Sequence, residues 1–223
     1  LKSDDYGQSW QLIVNGLGDG IICRALREDV TKPGLLYAAT ETGVYFSLAD
    51  GATSQSPQPT LPVRPVPAPA SKDTDLVIAS HGRSFWILDD VTPLHQLQDE
   101  QVTGVKLFKP RDTIRYRINT GFGMEPSPGV IGYRSAGPVT IAARLVRDEY
   151  GEWEQQLLNA GQNPPDGVII NFYVPEVPEG EVTLTIKDSA GQTVKSFSTA
   201  GKGDKRLRVK AGPNRFIWNM REE

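Results

Sequence analysis

The sequence is short of cysteine. Cys23 is the only one among 223 residues, so no internal disulfide framework can form and one thiol cannot identify the redox compartment. Histidine is almost as scarce, with only His81 and His95, which leaves little material for a metal site built on imidazoles. No apolar run approaches the roughly 20 residues that a membrane helix requires. No basic stripe appears either. The formal net charge is -3, so nucleic acid is a poor candidate partner. No signal peptide is visible, and the chain opens on Leu1 within a motif, so the natural start is expected to lie upstream.

Glycine (22) and proline (17) are abundant, and they punctuate runs of Val, Ile, Leu and Thr. That pattern predicts an all-β chain of short strands and tight turns. Hydrophobic residues at 38% and charged residues at 23% are enough for a folded core.

An internal repeat organises the first half. Leu36-Tyr37-Ala38-Ala39-Thr40 aligns with Leu76-Val77-Ile78-Ala79-Ser80, Val44-Tyr45-Phe46 with Ser84-Phe85-Trp86, and Asp50 with Asp90, all at an offset of 40. Each unit reads as an apolar strand, a tight turn, a second strand with aromatic residues and then an acidic turn. Strand-filled periods of roughly 40–50 residues are what propeller blades produce.

The acidic turns carry a more specific pattern. Residues 3–10 read Ser3-Asp4-Asp5-Tyr6-Gly7-Gln8-Ser9-Trp10, that is Ser-x-Asp-x-Gly-x-Ser-Trp. An Asp carboxylate can accept backbone N–H bonds within such a turn, Gly can take the left-handed conformation, and Trp is expected to fold back and pack within the blade. A second copy starting at 47 keeps Ser47, Gly51 and Thr53, but Ala49 holds the main Asp position and Ser54 replaces Trp. Asp50 is expected to stand in partly for the lost carboxylate. A third, starting at 87, keeps only Asp89, with Val91 at the Gly position.

This pattern is similar to the Asp-box, or BNR repeat, of sialidase-like propellers. The run from Asp75 to Asp90, which includes Leu76-Val77-Ile78-Ala79-Ser80-His81-Gly82-Arg83-Ser84-Phe85-Trp86, resembles the last blades of BNR-repeat, glycosyl-hydrolase-like or sortilin-like proteins. Leu107-Phe108-Lys109-Pro110, Gly161 to Gly167, and Gly212 to Met220 resemble segments that in those proteins follow the propeller and build an immunoglobulin-like domain, similar to that of flagellar hook-capping proteins. Three departures stand out: two eroded boxes, a Pro-, Ser- and Ala-rich stretch over 52–72, and Asn219 where the family has Asp. The resemblance implies a partial β-propeller, its last two to three blades at 1–97, then a connector at 98–160 and an Ig-like β-sandwich at 161–223. It also implies an extracellular or periplasmic location, with the remaining blades of the same protein as partners.

Within the second half, 91–110 reads as a connector and Val139 to Val146 as a strand. Glu149 to Asn159 reads as a short helix, with Trp153, Leu157 and Leu158 near one side and Gly161 as its stop. Val168–Val174, Val182–Lys187, Thr193–Ser198, Arg206–Lys210 and Asn214–Met220 read as sandwich strands, with a hairpin turn at Asp188–Gln192. Val182, Leu184, Ile186, Val209, Phe216 and Trp218 are the expected core.

Catalytic chemistry is harder to find. A sialidase-like site needs an arginine cluster, a Tyr–Glu pair and a general acid, and no such set is present. The resemblance makes Asp5, Asp50 and Asp89 structural, since the boxes lie on the outer rim of those propellers. His81 and Arg83, in a turn after an apolar strand, are the candidate ligand contacts for a carbohydrate or peptide. The competing reading is a turn shaped by Gly82 with Arg83 paired to an acid. His95 is expected to be solvated, and Cys23, within Gly20-Ile21-Ile22-Cys23, a buried inert thiol. Asp89-Asp90 with Asp99-Glu100 make a thin case for calcium, and no metal or cofactor is assigned. Paired carboxylates for glycoside hydrolysis would have to sit about 5–10 Å apart, and the sequence places no such pair across a cleft. Three functions remain: a non-catalytic, structural or binding portion of a secreted glycosyl-hydrolase-like protein, a fragment of an active sialidase-like glycoside hydrolase, and a sortilin-like binder of peptides or proteins.

Overall fold

Strand alternation sets the architecture. The computed structural model describes residues 1–55, 68–79, 85–99, 102–115, 123–136, 139–148, 151–160 and 164–221. Of the chain, 43% is strand and 5% helix, arranged in several small antiparallel sheets, none of them closed, so the expected all-β class holds. The chain falls into two units, residues 1–113 with 167–223, and residues 114–166.

In the larger unit, β1 (Cys23–Glu28), β2 (Leu36–Thr40) and β3 (Val44–Ser47) form a first three-stranded sheet, and β4 (Ala68–Lys72), β5 (Asp75–Ala79) and β6 (Phe85–Leu88) a second. Period-two alternation gives each sheet two distinct faces. In the first, Tyr37, Ala39, Val44 and Phe46 share one face. In the second, Leu76, Ile78, Trp86 and Leu88 share one. These two faces pack on each other around Leu35 and Val91 to make one core.

The strands fall where the repeat predicts, with one slip. Ala39 pairs with Val44 across four intervening residues, but Ala79 pairs with Phe85 across five. The true equivalents of Val44, Tyr45 and Phe46 are therefore Phe85, Trp86 and Ile87.

The expected connector contains a helix, α1 (Thr92–Asp99). Asp90 accepts from the Thr92 N–H (3.2 Å), and Pro93 falls in the first turn, where a missing N–H costs nothing. A short strand, β7 (Lys106–Leu107), follows and joins the C-terminal sheet.

The smaller unit is a four-stranded sheet of β8 (Gly123–Met124), β9 (Gly132–Ala136), β10 (Val139–Arg147) and β11 (Trp153–Leu157) in the order β11-β10-β9-β8. β11 corrects the expected helix at 149–159. Trp153 and Leu157 are four residues apart, a spacing that one helix face and one strand face both satisfy. Pairing with β10 decides it, supported by Gly151 in a tight turn at φ 77° and by Arg147 stacked 4.0 Å over the Trp153 ring.

Back in the larger unit, β12 (Val168–Val174), β13 (Thr183–Lys187), β14 (Thr193–Ser198) and β15 (Gly212–Trp218) complete the chain. The sheet β15-β12-β7 and the hairpin β13-β14 enclose a second core of Phe172, Val174, Phe197 and Leu207. All six residues expected in the sandwich core pack against it. The strand expected at Arg206–Lys210 is not one: it is reduced to a single parallel bridge between Arg206 and Ser198, which seats Leu207 inward.

Phe197 is 3% exposed and lies with its ring centroid 4.6 Å from that of Phe216, so one side chain ties the hairpin to the three-stranded sheet. Phe197→Ala is expected to cost about 3–5 kcal/mol, read as a lowered urea midpoint at unchanged slope.

Candidate functional site

The turn at residues 3–10 is locally self-sufficient. Ser3 Oγ donates to Asp5 Oδ1 at 2.8 Å and accepts from the Gly7 N–H at 2.6 Å. The Ser9 N–H and Oγ donate to the two Asp5 oxygens at 2.8 and 2.6 Å. Hydrogen bonds from Ser9 and Ser3 hold the Asp5 carboxyl down at about 2. A two-way pairing of Lys2 with Gln11 closes the hairpin.

The second turn repeats this geometry at an offset of 44 without the Asp. Ser47 Oγ accepts from the Gly51 N–H at 3.0 Å, and Phe46 pairs both ways with Gln55 as Lys2 does with Gln11. Tyr6 and Gly7 lie at φ 58° and 86°; Asp50 and Gly51 lie at 51° and 86°. The Asp50 carboxylate points to Lys2 Nζ, 2.6 Å away, so it links the two turns. Thr53 is exposed. Trp10 does not pack into a blade as expected. Its ring folds back over Gly7 but remains 62% exposed.

At the third position, Asp90 takes the left-handed conformation (φ 65°). Its N–H donates to Asp75, which also pairs with Arg111 at 2.8 Å, and its carboxylate meets Asn171 of β12 at 3.5 Å. Burial, and the like charge of Asp75, push the neighbouring Asp89 carboxyl up, against the pull of Arg111 and Arg215. Asp90 joins the second sheet, α1 and the C-terminal sheet.

The strongest polar cluster was not read from the sequence. Asp29, in the β1–β2 loop, has a fully buried carboxylate. Its Oδ1 accepts from the Thr31 and Lys32 N–H groups at 2.8 and 2.9 Å. Its Oδ2 meets Tyr37 Oη of β2 (2.9 Å), Ser71 Oγ of β4 (3.2 Å) and His95 Nε2 of α1 (3.2 Å). Burial alone would raise this carboxyl, but the donors together overcome it and the net shift is downward, while burial and the Asp29 charge drive Tyr37 far up. His95 is thus buried and partnered, not solvated. Ser71, His95 and Asp29 do not form a nucleophilic relay, since Ser71 and His95 both address the same carboxylate oxygen and not each other. The cluster fastens the fold.

Cys23 is exposed rather than buried, on an edge strand whose inward residue is Ala25. The reverse face of the first sheet carries an apolar cavity of about 170 Å³, lined by Leu36, Ala38 and Tyr45 with Ile13, Leu17 and Cys23 among others. His81 and Arg83 lie outside the described residues. Among the described residues, no group of three or more His, Cys, Asp or Glu side chains converges as metal ligands would.

Set against family models, curated proteins and solved structures, the chain matches none.

Two outcomes test these assignments. Asp29→Ala strands a histidine, a phenol, a hydroxyl and two N–H groups, and is expected to cost about 3–5 kcal/mol by urea titration. Asp5 has a depressed carboxyl, so its contribution is complete above the unfolded value of about 3.9 and is lost as pH falls towards about 2. The protection of the Ser9 amide, measured relative to the intrinsic exchange rate at each pH, is expected to fall across that window, and Asp5→Asn is expected to make that protection independent of pH.

Proposed function

We propose that this chain is the C-terminal portion of a secreted BNR-repeat, glycosyl-hydrolase-like protein. Its first two sheets are the closing blades of a β-propeller, and the C-terminal sandwich is an Ig-like accessory domain. The chain has a structural or binding role and is non-catalytic by itself. One observation carries this reading. Two three-stranded sheets of equivalent strand order stack face to face in the same sense, and two hairpins of one repeated geometry precede them in sequence, at 2–11 and 46–55. The outer face of the second sheet is left apolar and open, with Phe85 72% and Ile87 57% exposed, as an arc awaiting further blades requires. The site chemistry agrees with a non-catalytic role, because the most buried carboxylate is fully engaged by donors from its own fold. In this reading the partners are the remaining blades and a carbohydrate or peptide ligand met by His81 and Arg83, and the setting is extracellular or periplasmic.

The test is a glycan array run beside aryl-glycoside hydrolysis. Binding without turnover, weakened at least tenfold by Arg83→Ala, is the expected result. Turnover by this chain, lost in Arg83→Ala, would establish the glycosidase reading instead. Capture of peptides without glycan binding would establish the sortilin-like one.

A further inference from the structure

The sheet-on-sheet contact inside the larger unit specifies what fits its two open ends. Paired register makes Val77, Ala79, Phe85 and Ile87 the equivalents of Tyr37, Ala39, Val44 and Phe46. The latter four form the face of the first sheet that packs on the second. By the same register, Leu36, Ala38 and Tyr45 are the equivalents of Leu76, Ile78 and Trp86, which receive that packing. The molecule therefore carries one donor face that is unfilled, at Phe85 and Ile87, and one receiving face that is only partly covered, at Leu36, Ala38 and Tyr45.

The two unfilled features match in size and chemistry. The receiving face holds the apolar cavity of about 170 Å³. A dry apolar cavity of roughly 150 Å³ accommodates a benzene ring. The donor face projects the phenyl ring of Phe85 at 72% exposure, flanked by Ile87 at 57%. A solvent-exposed apolar knob, combined with a ring-sized apolar hole elsewhere on the same surface, makes a heterologous contact between copies.

We propose that a second copy of this chain docks head to tail, with Phe85 and Ile87 of one copy entering the cavity beside Ala38 and Tyr45 of the next, continuing by one step the interface between its own two sheets. The contact pairs unlike faces. It generates a ring if the rotation closes and an open array if it does not.

The experiment exploits the single cysteine. Cys23 is exposed and lines the cavity, so benzyl methanethiosulfonate places a phenyl group at the hole, reversibly with dithiothreitol, without touching Phe85. Sedimentation velocity of the full chain is expected to show concentration-dependent association. Phe85→Asp and, separately, Ile87→Lys are expected to abolish it, and so is the benzyl adduct, with recovery on reduction. Circular dichroism confirms that each species is folded, and both substituted side chains are already exposed. The decisive sample mixes Phe85→Asp, which keeps its hole, with benzylated wild type, which keeps its knob. A 1:1 complex that grows no further is expected. A wild-type chain that stays monomeric, association indifferent to the Cys23 adduct, or a mixture that forms no complex overturns the proposal. A monomeric result leaves the blade reading intact, because that reading is tested by ligand binding and turnover.

Discussion

The carboxylate of Asp29 is the constraint on which the first half of the chain depends. A fully buried charge is costly to desolvate, and it persists here because five donors converge on its two oxygens. Those donors come from the loop after β1, from β2, from β4 and from α1. A single carboxylate thus fixes the position of the second sheet and of the helix relative to the first. Apolar contact alone would hold the two sheets together, but it is non-directional and tolerates sliding. The hydrogen-bonded hub does not, because any slip leaves a buried donor unpaired at a cost of about 1–3 kcal/mol.

The two related turns of the first half show which residues set their shared geometry. The turn at 46–55 has the same closing pair and left-handed residues as the turn at 2–11, with Ala49 and Ser54 where the first has Asp5 and Trp10. What the two share is a Ser hydroxyl accepting from a Gly N–H four residues on, and a Gly in the left-handed region. The Asp adds local rigidity, and where the neighbouring chain supplies packing it becomes dispensable. Gly51 is buried, and Ile13 lies where its Cβ would be, so the second turn is braced by tertiary contact. The first turn is exposed and keeps the full set of internal bonds.

Much of the strand pattern was legible because alternation and turn residues report it directly. The bounds of β12 and β14 match those expected, and period two placed Val182, Leu184 and Ile186 in the core that they, with Val209, Phe216 and Trp218, pack against. Legibility failed where the signal was non-local or degenerate. The partners of Asp29 at 37, 71 and 95 are 8, 42 and 66 residues away, and no spacing rule connects them. Asp29 itself sits in Arg27-Glu28-Asp29-Val30-Thr31-Lys32-Pro33-Gly34, which reads as an ordinary polar turn. The helix at 92–99 was hidden because Pro93 serves equally as a loop marker and as a first-turn helix residue. The repeat alignment slipped by one at β6 because five residues separate the paired Ala79 and Phe85, against four between Ala39 and Val44.

Two-faced sheets that stack in one sense impose a rule on everything larger than this chain. Each step pairs a face bearing Tyr37, Ala39, Val44 and Phe46 with one bearing Leu76, Ile78, Trp86 and Leu88, so the ends of any finite stack are unlike. Two like ends meeting across a twofold axis would set Phe85 and Ile87 against themselves, without the receiving surface that the chain's own interface uses. The two open faces of the larger unit are therefore complementary rather than alike, with Phe85 and Ile87 on one and Leu36, Ala38 and Tyr45 on the other. The propagating element is the period-two alternation of faces along short strands, which sends Tyr37 and Ala39 to one side of the first sheet and Leu36 and Ala38 to the other, as it does Val77 and Ala79, and Leu76 and Ile78, in the second.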